Sequence, residues 1–126
     1  MNPKQFLILG GSILIVVGVL GFVGIIGPTP EKSIFGANWW FDNPENWAHL
    51  LLGIVGLVAA FVLPAMLQKW LVLVLGVVGV LVGVYSLVVS PSFLGANLEN
   101  PADTVLHLAV GTWALWASSG KQDSMM

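Results

Sequence analysis

The sequence predicts an all-α integral membrane protein in which four transmembrane helices form two repeated helical hairpins. Of the 126 residues, 57% are hydrophobic and 8% are charged, whereas soluble domains carry roughly a quarter charged residues. Four apolar runs, at about 6–26, 46–64, 69–90 and 104–118, approach the roughly 17–25 residues that a bilayer requires. A histidine-containing segment also occurs twice. These observations assign the whole chain, 1–126, to a single membrane domain.

The first apolar run, from Phe6 to about Ile26, is long enough to be a membrane-spanning helix. The apolar core of a signal peptide is shorter, typically about 7–15 residues, and no small-x-small cleavage pattern precedes Gly27 and Pro28. We therefore expect this run to be retained as the first helix. A membrane-spanning backbone must satisfy its own hydrogen bonds, which favours the α-helix for all four runs.

The second and fourth runs each begin with an Asn-Pro pair, Asn43-Pro44 and Asn100-Pro101. Asn is a preferred N-cap residue and Pro is favoured in the first helical turn, so both pairs predict helix starts. Between the second and third runs, Pro64 predicts a tight turn, because proline is poorly tolerated inside a helix.

The fourth run is the shortest. Thr104 to Ser118 can cross a bilayer only if Asp103 and Lys121 lie at its two interfaces. We expect that arrangement, which gives the chain four spans.

The two halves of the chain, about 1–65 and 66–126, resemble each other. Phe-Gly-Ala-Asn at 35–38 corresponds to Leu-Gly-Ala-Asn at 94–97, and an Asn-Pro pair, an acid, a histidine and a glycine follow each. The glycines at 18 and 21 similarly match those at 76 and 79. Since each half contributes two helices, both copies enter the membrane from the same side. The predicted repeat is therefore parallel, with both termini on one side and both long loops on the other.

The lysines predict the orientation of the bundle. Lys4, Lys69 and Lys121 lie on the side of the termini, and Lys32 alone lies on the side of the loops. The positive-inside rule then places both termini in the cytoplasm. The expected location is the cytoplasmic membrane or an internal energy-converting membrane.

The two histidines, His49 and His107, have matching surroundings. Each follows a carboxylate by four residues, Glu45 and Asp103, and each precedes a glycine by four residues. Residues four apart share a helix face, and small residues on that face permit close helix packing. We therefore predict that both rings face the bundle interior and that each serves helix packing. The expected partner of each ring is the carboxylate one turn away or a backbone carbonyl across the helix interface.

The same side chains are the candidate ligand site. If Glu45, His49, Asp103 and His107 converge, they offer the nitrogen and oxygen ligands of a zinc or iron site. His49 and His107 alone are candidate ligands for haem or chlorophyll. Metal-binding bundles usually space the acid and the histidine by three residues rather than four. We expect no cofactor, and keep haem, chlorophyll or a divalent metal as the alternative.

Other kinds of chemistry are poorly represented in the sequence. Four lysines without arginine exclude a nucleic-acid-binding surface, and the chain has no cysteine. No serine has a histidine beside it, and no glycine-rich loop follows a strand. The sequence therefore predicts that the protein is not an enzyme.

The stretch 46–57, Asn-Trp-Ala-His-Leu-Leu-Leu-Gly-Ile-Val-Gly-Leu, resembles a pattern in a bacterial family of small four-helix membrane proteins, a domain of unknown function called the 4383 group. That pattern is Asn, two or three residues, His-Leu, then Gly and a second small residue at helical spacing. The matching residues are Asn46, His49, Leu50, Gly53 and Gly56, and in the second copy His107, Leu108 and Gly111. Thr104 and Ala114 depart from it. The resemblance implies a four-helix membrane fold and no particular activity.

The sequence thus predicts a non-enzymatic structural or accessory subunit of a larger membrane assembly or homo-oligomer. The chain has few polar groups, and its glycine stripes exceed what one small bundle needs. The expected partners are the lipid bilayer and other membrane subunits or copies of the chain, and not nucleic acid. The alternative is a subunit that binds a tetrapyrrole or a metal through the paired histidines.

Overall fold

The computed structural model describes residues 1–93, 95–98 and 102–120. This part of the chain contains four α-helices: α1 (Pro3–Phe22), α2 (Asn43–Val62), α3 (Ala65–Val88) and α4 (Ala102–Ser118). The α1–α2 loop contains two short 3-10 turns, Pro30–Lys32 and Gly36–Asn38. In the α3–α4 loop, β1 (Ser92–Phe93) pairs antiparallel with β2 (Ala96–Asn97). Apart from that two-residue pair, the fold is all-α.

Three of the helices are long and apolar enough to cross a membrane. The mean hydropathy of the most apolar windows of α1, α2 and α3 is 2.3, 1.6 and 2.7. The fourth helix, with 17 residues, is not among the candidate spans of the described residues. The prediction of a helical membrane protein is confirmed at this level.

Capping boxes set the starts of α1 and α2. The side chain of Asn2 accepts a hydrogen bond from the Gln5 backbone N–H, and the Gln5 side chain accepts one from the Asn2 backbone N–H. Asp42 and Glu45 make the same reciprocal pair at α2. The predicted N-cap, Asn43, is therefore wrong: it is the first residue of the helix. The second Asn-Pro pair, at 100–101, lies outside the described residues.

The end of α1 comes four residues earlier than predicted. Helix α1 ends at Phe22, and Gly24 adopts a positive φ of 88°. That left-handed conformation is accessible to glycine and interrupts a right-handed helix. The turn predicted at Pro64 is present, and Pro64 is the N-cap of α3.

Glycines bring the helices of each hairpin into backbone contact. A Cβ added at Gly11 of α1 would lie 2.9 Å from the carbonyl oxygen of Gly53 in α2. A Cβ added at Gly111 of α4 would lie 2.7 Å from the backbone nitrogen of Val80 and 3.0 Å from the carbonyl oxygen of Gly76 in α3. Small residues are what permit such close approach between membrane helices. Glycines on these stripes are therefore used for packing inside the hairpins.

Contacts between the two hairpins are sparser than those within them. At the end of the bundle that carries the termini, the Phe6 and Trp113 rings pack edge to face with centroids 4.6 Å apart. There the Trp113 indole N–H also donates to the Met1 sulfur at 3.1 Å. The buried Gln68 side chain donates to the carbonyl oxygen of Ala60 at 2.9 Å, satisfying a backbone group at the end of α2.

Candidate functional site

The predicted site residues lie at the opposite end of the bundle, the loop end, which carries the α1–α2 and α3–α4 loops. Helices α2 and α4 both begin there. Glu45 in the first turn of α2 and Asp103 in the first turn of α4 are 4% and 1% exposed. His49 and His107 follow one turn further along each helix.

Glu45 and Asp103 form a buried pair of carboxyl groups. Their side chains lie close enough to interact directly. Glu45 Oε1 also accepts the Asp42 backbone N–H. Asp103 Oδ1 accepts the Trp39 indole N–H at 3.0 Å. The pair therefore connects α2, α4 and the α1–α2 loop.

The two histidines have different partners. His107 Nδ1 lies 2.7 Å from the Asp103 carbonyl oxygen, and because a carbonyl only accepts, Nδ1 is the protonated nitrogen. The His49 ring packs edge-on against Phe41, with centroids 4.9 Å apart. His49 Nδ1 is buried and has no hydrogen-bond partner among the described residues.

The carboxyl and the backbone of Asp103 have different partners. For His107 the partner is the backbone of Asp103, while the Asp103 carboxyl binds Trp39 and Glu45. Of the two kinds of partner expected, a carboxylate or a backbone carbonyl, the structure gives His107 a backbone carbonyl, that of Asp103 in its own helix.

The four candidate ligands come together only in part. His49 and His107 are close enough to interact electrostatically, and Glu45 contacts Asp103. Within residues 1–93, 95–98 and 102–120, no group of three or more histidine, aspartate or glutamate side chains is placed to hold a metal ion. The arrangement therefore gives no support to a metal site made of all four residues.

Two further polar residues join the helices at this end of the bundle. Asn46 is fully buried, and its amide lies directly against Gly21 of α1. Thr104 occupies the matching place in α4, and its hydroxyl lies 2.8 Å from that of Ser86 in α3. In the sequence these two residues can be recognised because each lies three residues before a histidine. They serve helix pairing within each hairpin.

No family model, no curated protein and no solved structure matches this chain. Its function is therefore inferred from the contacts of its own residues.

Proposed function

We propose that the protein is a non-enzymatic integral membrane protein that acts as a structural or accessory subunit of a larger membrane assembly or of a homo-oligomer. This proposal rests on how small a fraction of each candidate membrane-spanning helix is buried within the chain. In the most apolar windows of α1, α2 and α3, 28%, 33% and 28% of the residues are buried. Most of each span is thus left to lipid or to other protein.

The contacts of the chemistry-bearing side chains support the same proposal. The Asp103 carboxyl accepts from the Trp39 indole N–H and contacts Glu45, whose own carboxyl accepts the Asp42 backbone N–H. These contacts hold the two hairpins and the long loop together, which is a structural role. A catalytic group, by contrast, must reach the proton or atom on which it acts.

The proposed architecture is a parallel repeat of two hairpins with four membrane crossings. Three helix–helix contacts of the first hairpin have a counterpart in the second and support this architecture. The Gly11–Leu57 contact corresponds to Gly76–Leu115, Gly18–Leu50 corresponds to Gly83–Leu108, and Gly21–Asn46 corresponds to Ser86–Thr104. By these contacts Gly18 is equivalent to Gly83 in the second hairpin, whereas the sequence comparison makes it equivalent to Gly76.

The proposed crossing by α4 follows from that repeat. Its 17 residues reach the lower end of the range of about 17–25 that can span a bilayer. Both termini would then lie in the cytoplasm, as the lysines predict; Lys121, which is part of that pattern, lies outside the described residues. Membership of the 4383 group stays a prediction from the stretch 46–57.

The proposed role predicts stable association in mild detergent. Two copies of the chain carrying different tags, expressed together in the native host, test it in one purification. We expect the second tag or other membrane subunits to co-purify with the first. A chain that elutes as a lone 13.4 kDa monomer with neither companion contradicts the proposal.

A tetrapyrrole-binding or metal-binding subunit is the second candidate function. The buried His49 Nδ1, which has no partner among the described residues, favours it, because an unoccupied imidazole nitrogen is what a metal or haem iron binds. An optical spectrum with metal analysis on gently purified protein separates the two candidates.

From the first candidate we expect a colourless, metal-free sample from the wild type and from His49→Ala. A Soret or chlorophyll band, or stoichiometric zinc or iron, that is lost in His49→Ala or in His107→Ala would establish the second candidate instead. His107→Ala belongs to the test, because a ring whose Nδ1 donates to the backbone keeps Nε2 free for a metal or haem iron.

A further inference from the structure

The α1–α2 loop begins as a short antiparallel ribbon with one apolar, exposed face. Ile26 and Ser33 form a β-bridge, and the Ile34 backbone N–H donates to the Ile25 carbonyl oxygen at 2.9 Å. Ile25 and Ile34 are therefore opposite each other, and opposite residues of an antiparallel pair share a face. Ile26 points to the other side, because successive side chains alternate, and it is buried.

The exposed face carries large apolar side chains where a water-facing loop would be polar. Ile25 is 40% exposed and Ile34 is 72% exposed. Phe35, the next residue, is also exposed. The ribbon is held in place by backbone and hydroxyl contacts, including the Phe41 N–H to the Ile26 carbonyl at 2.8 Å and the Ser33 hydroxyl to the Trp39 carbonyl at 2.6 Å. The apolar side chains thus project from an ordered platform.

The level of this ribbon in the bilayer follows from the length of α1. Its 20 residues rise about 30 Å, which matches the hydrocarbon thickness of a bilayer. Ile25 comes three residues after the end of α1 at Phe22. The exposed Trp47 packs against Phe22 with ring centroids 5.2 Å apart, and tryptophans concentrate at the membrane–water interface. The ribbon therefore lies at that interface.

The exposed face also follows directly in the chain on the exposed apolar surface of α1. Val16, Val19 and Val23 are exposed at helical spacing on the last turns of α1 and its C-cap, and Ile25 follows two residues later. Glu31 and Lys32 form the exposed 3-10 turn at the tip of the ribbon. Charged groups next to an apolar strip suit the polar headgroup layer.

We propose that Ile25, Ile34 and Phe35 form a lipid anchor that inserts into the boundary between headgroups and acyl chains at the loop end, with phospholipid as its occupant. Glu31 and Lys32 lie among the headgroups. The anchor fixes the depth of α1 in the bilayer. It also holds in place the loop whose Trp39 bonds to the buried Asp103 carboxyl.

Spin labelling tests the anchor directly, because the chain has no cysteine. A nitroxide is attached at Ile34→Cys, and its collisions with oxygen, which concentrates in lipid, and with a water-soluble nickel chelate are measured in phosphatidylcholine nanodiscs holding one chain each. Glu31→Cys in the same loop is the polar control, and Val78→Cys on the exposed face of α3 is the lipid reference. Phe35→Cys gives an independent second position.

We expect the ratio of oxygen to nickel collisions at Ile34→Cys and Phe35→Cys to lie between the Val78→Cys and Glu31→Cys values and to exceed the Glu31→Cys value several-fold. A ratio equal to or below that of Glu31→Cys would place the ribbon no deeper than its polar tip and overturn the proposal. Protection from both reagents at Ile34→Cys would show that other residues of the same chain cover the ribbon, which also overturns it. Because Ile34 is exposed in the fold, its substitution is not expected to prevent folding.

Discussion

Gly53→Ala is expected to destabilise the α1–α2 hairpin by about 1–3 kcal/mol, the usual cost of forcing extra atoms into a close contact. The added Cβ would lie 2.7 Å from the Gly11 carbonyl oxygen and 2.9 Å from the Ile15 backbone nitrogen. Since both neighbours are backbone, they cannot move aside by a side-chain rotation, and the two helices must separate. Thermal unfolding in mild detergent, followed by circular dichroism, measures the loss.

Gly56→Ala is the matched control for this change. Gly56 is buried in the same helix one turn further on, but the nearest atoms to its added Cβ are 3.7 Å away, an ordinary contact. Alanine is also the better helix former by up to about 1 kcal/mol. We expect Gly56→Ala to be neutral or stabilising. Equal losses in the two variants would contradict the assigned packing of α1 on α2.

Asp103→Ala is expected to cost about 1–3 kcal/mol, because it removes the acceptor of the Trp39 indole N–H. It also removes the side chain that contacts the buried Glu45 carboxyl. Because Trp39 lies on the loop and Glu45 on α2, the loss should loosen the contact of α4 with both. Thermal unfolding together with tryptophan fluorescence follows the two consequences, and a red shift of the emission is expected as Trp39 becomes wetter.

Asp103→Asn is the control that keeps the shape of the side chain. Its amide oxygen can accept from Trp39, and its amide N–H can donate to Glu45. We therefore expect it to retain most of the stability lost in Asp103→Ala. If Asp103→Ala unfolds at the same temperature as Asp103→Asn, the carboxyl pair does not join the hairpins.

The sequence predicts the helices well, because its apolar runs and prolines are local signals. The starts of α1 and α2 also depend on residues close in sequence. Each start is a capping box with the required spacing of three residues, formed by Asn2 and Gln5 in α1 and by Asp42 and Glu45 in α2. Asn43 is an equally good cap residue by type. The reciprocal contact with Glu45 decides in favour of Asp42.

The partners of the site residues depend on contacts between distant parts of the chain. Helical spacing places Asp103 one turn from His107, but the Asp103 carboxyl instead binds Trp39, from the other hairpin. The contact between Glu45 and Asp103 likewise joins α2 of one hairpin to α4 of the other. The sequence pattern does not indicate that Trp39 of the loop contacts Asp103, nor that the His107 ring bonds to a backbone carbonyl.

The measurement that tests the account most directly is native mass spectrometry of the wild-type protein released from gently extracted membranes. It reports the subunits and any bound cofactor in one spectrum. We expect masses above the 13.4 kDa of one chain, as multiples of that mass or as that mass plus partner subunits, with no haem, chlorophyll or metal retained. A single chain without partners, or a chain that carries a tetrapyrrole or metal and loses it in His49→Ala or His107→Ala, would contradict the proposed role.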